Sequence, residues 1–185
     1  LAEAGARIVI RRRETVRSLL PRLESTFGQI HSDADVGMRY RSDPRVEAAE
    51  SEGEVLSALR EGLLANWKAD ERRGFTGFGP QTDDVELELA GHLAREHASQ
   101  GQVRSLVLAL KIAELEHLRE VLGEPPLLLL DDVASELDEE RRRRLFEAMA
   151  ALSCQSLITV TEREHLPPLA GCVDYEVNGG TVRRL

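Results

Sequence analysis

Hydrophobic residues recur at Leu1, Ile8, Val16, Leu19, Leu20, Leu23 and Phe27, mostly three or four positions apart, which predicts one long helix from Leu1 to about Ile30 with Gly28 as a stop signal. Val36 to Tyr40 reads as a short strand closed by the turn-forming Ser42-Asp43-Pro44. Val55, Leu59, Leu63 and Trp67 then fall four apart, predicting a helix from Glu54 to Arg73 that ends at Gly74 and holds Trp67 in the core. The texture changes at "GFTGFGPQTDD", a glycine-rich loop, and "DVELELAG" alternates apolar with acidic residues, the mark of a half-exposed strand. Val103, Leu106, Val107, Leu110, Ala113, Leu118 and Val121 predict a helix from Val103 to about Leu122, stopped by Gly123 and Pro125-Pro126. "LLLLDD" and "SLITV" are expected to be strands buried on both faces, separated by a helix from Glu139 to Leu152 that Asp138 can cap. "CVDYEV-NGG-TVRRL" reads as a closing hairpin. A helical first part followed by alternating strands and helices predicts an α/β core with a helical lobe attached.

Composition narrows the class. With 42% hydrophobic and 31% charged residues in 185, the chain is globular in character, and no apolar run approaches the roughly 20 residues that span a bilayer. Cys154 and Cys172 fit no metal or redox spacing, so a reducing, cytoplasmic setting without disulfides is expected. The net charge of −9 confines any nucleic-acid contact to local patches, of which Arg11 to Arg13 and Arg141, Arg142, Arg143 and Arg144 are the two candidates. Solvated helix faces are the competing reading of both runs. His92 and His97 are too poorly spaced on one helix face for a metal site, and Ser99 has no sequence partner that would make it a nucleophile.

Two stretches carry chemistry. A buried strand ending in Asp131-Asp132 delivers carboxylates to the carboxyl edge of a sheet, where open α/β sheets bind ligands. One can hold Mg²⁺ and the other can position a water. "SQGQ" stands at the mouth of a helix, where Ser99 can cap, Gly101 admits close approach of a ligand, and free amides favour an anion.

The order "ASQGQVRSLVLALKIAELEHLRE", "GEPPLLLLDDVASELDEERRRRLFEAM" and "LITVTE" resembles the RecF family, DNA repair ATPases of the ABC/SMC type, strongly from Gly74 onward and loosely before it. The resemblance implies the C-terminal half of an ABC/SMC-type P-loop ATPase head with a helical lobe, divided as 1–74 for the lobe and 75–185 for the head portion. Ser99, Gln100, Gly101 and Gln102 would be the signature motif that touches the γ-phosphate of ATP held by a partner head. Asp131 would be the Mg²⁺ aspartate, Asp132 the catalytic carboxylate, and Ser135 to Asp138 the loop that crosses the dimer interface, with Ser135 and Asp138 as contacts. Thr159 or Thr161 would occupy the γ-phosphate switch position. Gln81 and Thr82 replace a His and an Arg typical of the family. No G-x-x-x-x-G-K-[ST] occurs in these residues, so the chain is expected to be part of a longer protein and not to hydrolyse ATP alone.

The implied function is ATP- and Mg²⁺-dependent homodimerisation through an ATP sandwich and binding to double-stranded or gapped DNA. It includes work with other recombination mediators of the RecF pathway in recombinational repair and the SOS response. Slow hydrolysis would act as a switch in the cytoplasm, away from membranes. The alternatives are a non-catalytic ATPase-like interaction module and a head fragment of another SMC-type repair ATPase.

Overall fold

The computed structural model describes residues 1–31, 35–131, 139–152, 154–162, 166 and 171–185. By their internal packing these fall into two compact units, Leu1–Pro125 and Pro126–Leu185. The first includes the helix after "SQGQ", which packs on the first helix of the chain.

The first unit is built around α1 (Ala2–Ile30), which runs past Gly28 and ends at His31. Its apolar positions Ala6, Val9, Val16, Leu19, Leu23, Phe27 and Ile30 are all buried. After it come β1 (Val36–Arg41), the short α2 (Pro44–Glu47) capped by Asp43, and α3 (Glu52–Arg73). Ser51 and Glu54 form a reciprocal capping box at the start of α3, and Gly74 closes it in the left-handed conformation with φ 76°. Ala6 and Val9 of α1, Val46, Ala49, Val55, Leu59 and Phe78 form one core cluster. Gly62 is needed there, because a Cβ on it would stand 2.1 Å from the Phe78 ring.

β2 (Asp84–Leu89) pairs antiparallel with β1, and β3 (His92–Leu93) pairs with β2. The register sets Val36, Met38 and Tyr40 opposite Leu89, Leu87 and Val85 on one face. It sets Gly37, Arg39 and Arg41 opposite Glu88, Glu86 and Asp84 on the other. The acids of "DVELEL" are thereby matched: Arg39 lies 3.0 Å from both Glu86 and Glu88, and Arg41 lies 3.3 Å from Glu86 and 2.9 Å from Glu47. The turn α4 (Ala94–His97) leads into α5 (Gln100–Leu122), whose Ser105, Leu106, Ala109, Ile112 and Ala113 are buried.

The second unit holds the parallel pair β4 (Leu128–Asp131) and β5 (Ser156–Thr159), joined through α6 (Glu139–Leu152). A hairpin of β6 (Tyr175–Asn178) and β7 (Thr181–Arg184) turns through Gly179-Gly180, both at positive φ as a tight two-residue loop requires. Burial on both faces of "LLLL" and "SLITV" is not found: Leu129 is 66% and Leu157 57% exposed. Only two strands are described in this sheet, and among the described residues Leu129 and Leu157 stay uncovered.

Two further expectations change. Trp67 is not core; it is 66% exposed. The run Arg11 to Arg13 is neither a free basic patch nor merely solvated. Arg12 donates to the Pro80 carbonyl at 2.6 Å, Arg13 donates to the Val46 and Ala49 carbonyls at 2.6 Å each, and Arg11 pairs with Glu14 at 3.3 Å. Beside Arg12, the Tyr40 hydroxyl donates to Asp83, tying β1 to the loop ahead of β2.

Candidate functional site

At the mouth of α5 the Ser99 hydroxyl accepts the Gln102 N–H at 3.3 Å, and the Gln102 side-chain oxygen accepts the Ser99 N–H at 2.9 Å. This is a capping box, so both Ser99 and Gln102 have a purely structural use. The spacing Ser-x-x-Gln was visible in the sequence and is the signal that reading Gln102 only as a ligand contact overlooks. Gln100 and Gly101 are different. As the first two residues of the helix their amides lack intrahelical acceptors, and they have no partner among the described residues. Behind them the Gly101 carbonyl accepts the hydroxyl of the fully buried Ser105 at 3.0 Å, which anchors the turn to the helix. The result is an exposed helix N-terminus with two free donors, a hydroxyl beside them and the positive end of a 23-residue helix dipole.

In the second unit the parallel register sets Asp131 opposite Thr159 at the carboxyl ends of β4 and β5. The Thr159 hydroxyl donates to the Asp131 carboxylate. Asp131 is exposed and offers oxygen donors of the kind Mg²⁺ prefers, so its chemistry fits that ion. Thr161 lies two residues beyond β5 and is also exposed, and it is the Thr159 hydroxyl that reaches Asp131. Asp132, Ser135 and Asp138 lie outside the described residues.

On α6, Arg143 and Arg144 pair with acids of the same helix, and the Arg141 side chain lies outside the described residues. Arg143 lies 2.7 Å from Glu140 and 2.6 Å from Glu147, and Arg144 lies 2.8 Å from Glu140. The two guanidinium groups hold the Glu140 carboxyl below its ordinary range by hydrogen bonding. Arg142 is half-buried and has no ion pair among the described residues. These pairs weight Arg143 and Arg144 toward a solvated face. Cys154 and Cys172 are free thiols. The His92 and His97 rings stand 5.1 Å apart, yet no group of three or more metal-ligating side chains occurs among the described residues. No helix of these residues is long and apolar enough to cross a membrane.

No protein-family model matches the chain. The DNA replication and repair protein RecF of Anaeromyxobacter dehalogenans (strain 2CP-C) is 47% identical over 189 residues, covering 100% of this chain and 51% of that protein. The RecF of Myxococcus xanthus (strain DK1622) is 46% identical over 165 residues, covering 88% and 43%. The fold agrees as well: the solved recombination mediator protein RecF-ATP of the RecFOR pathway matches with a TM-score of 0.83 and 30% identity, over 100% of this chain and 48% of that one. The chain belongs to the RecF family. It corresponds to the C-terminal portion and spans about half the length of the RecF proteins it matches. A structure of an ATP-dimerising SMC ATPase matches with a TM-score of 0.55 at 10% identity, which extends the likeness of fold to SMC-type heads. The RecF fold therefore accounts for a mixed α/β chain that covers about half of a RecF.

Proposed function

We propose that the chain is the signature-bearing half of a DNA replication and repair protein whose association is switched by ATP. The observation that carries this reading is the mouth of α5, where Gln100 and Gly101 present free amides next to the capped Ser99, in a chain 47% identical to a RecF. In this reading the turn contacts the γ-phosphate of a nucleotide held by a second copy, so the site is completed in trans and the protein closes as a homodimer. Asp131 holds Mg²⁺, whose charge offsets that of the phosphates when the ion is bound. Thr159 fixes the Asp131 carboxylate and stands at the switch position, with Thr161 as the second candidate. Asp132 orients a water, and Ser135 and Asp138 contact the partner. The functional division follows the lobe at 1–74 and the head portion at 75–185. DNA, double-stranded or gapped, and other recombination mediators are the partners, in the cytoplasm. The arginines of α6 supply at most one or two phosphate contacts, through Arg142 first, because the acids nearby compete for Arg143 and Arg144.

The test is ATP-dependent dimerisation of the full-length protein followed by light scattering. Ser99→Arg puts a bulky cation where the phosphate would sit and is expected to abolish the dimer with ATP while leaving the fold in place by circular dichroism. Unchanged dimerisation in that variant overturns the proposal.

A further inference from the structure

One ridge of α3 loses its cover along its length. Val55, Leu59, Leu63 and Trp67 follow one another at four-residue spacing on the helix. Val55 is 0% and Leu59 1% exposed, Leu63 is half-buried, and Trp67 is 66% exposed. The gradient follows α1. The two helices run antiparallel: Arg13 reaches the Val46 and Ala49 carbonyls just ahead of α3, Gly5 lies against Leu59, and Glu3 pairs with Arg60 at 3.1 Å. α1 begins at Ala2, level with Leu59 and Leu63, which share with Leu1, Ala2 and Gly5 the lining of a cavity of about 210 Å³. Beyond Leu63, α3 continues for three further turns with no buried residue. On another side that stretch is already served by the loop that follows it, since Gly77 donates to Asp70 at 3.0 Å and Phe78 sits on Gly62. Among the described residues, what stays open is the side along which α1 would continue.

We propose that the segment preceding Leu1 in the full-length protein prolongs α1 as a helix and covers the Leu63–Trp67 end of this ridge. The relatives supply the chain to do it, because this sequence matches the C-terminal portion of proteins about twice its length. About ten more residues, or about 15 Å of helix, reach the end of α3. A half-buried leucine, a tryptophan and an arginine-rich helix end (Arg72, Arg73) are the side chains such a contact uses. The consequence is mechanical. α1 also packs on α5, with Ser18 3.0 Å from His117 and Arg22 paired with Glu120. A continuous α1 would therefore join the preceding half of the protein directly to the helix whose mouth carries Ser99, Gln100 and Gly101. The proposal stands apart from the nucleotide reading, since it needs only the helix geometry and the length of the relatives.

The experiment places the photoreactive residue p-benzoylphenylalanine at position 67 of the full-length protein and maps the product by mass spectrometry. The expected result is an intramolecular cross-link to one peptide upstream of Leu1. Cross-linking to a second copy, to a separate protein, to residues 1–185 of the same chain, or to none of them overturns the proposal. Acrylamide quenching gives an independent readout, taken as the difference between the wild type and Trp67→Phe. Burial of the indole predicts a quenching constant lowered about threefold or more relative to free tryptophan, and an unchanged constant overturns the proposal.

Discussion

At Ser99 the hydroxyl holds the Gln102 amide, so Ser99→Ala removes an N-cap and is expected to cost about 1 kcal/mol in urea unfolding, whatever the ligand. Ser99→Asp separates the two uses of the residue. Aspartate caps as well as serine, so the stability should change by less than about 0.5 kcal/mol. Its carboxylate would face the proposed γ-phosphate, so ATP-dependent dimerisation of the full-length protein should be lost. If dimerisation persists in Ser99→Asp, the turn is structural and no more. Tyr40 offers a second residue-level test. Its burial first, and its hydrogen bond to Asp83 second, push the phenol from 10.0 up to about 12. The folded chain then holds that proton more tightly than the unfolded chain. The stabilisation is present in full below pH 10 and is lost as the pH climbs toward about 12. Tyr40→Phe should flatten that alkaline loss, measured as the slope of unfolding free energy between pH 10 and 11.5. Burial also raises the Asp83 carboxyl, against the pull of the Tyr40 hydroxyl and of Arg12.

For the elements, α3 shows how packing reverses an intrinsic preference. Glycine inside a helix is ordinarily about 1 kcal/mol worse than alanine. Gly62→Ala should nonetheless destabilise, by about 1–3 kcal/mol, because the added methyl meets the Phe78 ring 2.1 Å away. Gly53→Ala, in the first turn of the same helix with nothing within 4 Å, should not lower the unfolding midpoint. Equal effects of the two would show that Phe78 moves aside. The β1–β2 pair was half legible in "DVELEL": the alternation of acids and apolar residues announced a two-faced strand. That the acids meet Arg39 and Arg41 depended on register, which is set by contacts between residues nearly fifty apart in sequence.

Across the whole molecule, stability should reside unevenly in the two units. Leu59 is enclosed in the first, and Leu59→Ala is expected to cost about 2–5 kcal/mol. Leu157 in the second is 57% exposed, and Leu157→Ser should change the stability of this chain by less than about 0.5 kcal/mol, both read from denaturant midpoints. A large loss from Leu157→Ser would mean that this strand is covered in solution.

Local pattern by itself determined the long helices and the main strands, though not the short α2, β3 and α4, because the helix stops at Gly74 and Gly123, the cap at Ser99 and the Gly179-Gly180 turn are short-range events. It also marked the mouth of α5 and the strand ending at Asp131, since "SQGQ" and "LLLLDD" are contiguous. Which residues are enclosed was another matter. Trp67 shares the four-residue spacing of Val55 and Leu59, and periodicity cannot tell a covered position from one that no described residue covers. Leu129 and Leu157 likewise lie in apolar runs whose burial depends on neighbouring strands, not on the run itself. The partnership of Thr159 with Asp131, and the use of Arg12 and Arg13 to hold backbone carbonyls, were decided only by the tertiary structure, because each joins residues distant in the chain through a geometry that the fold alone supplies.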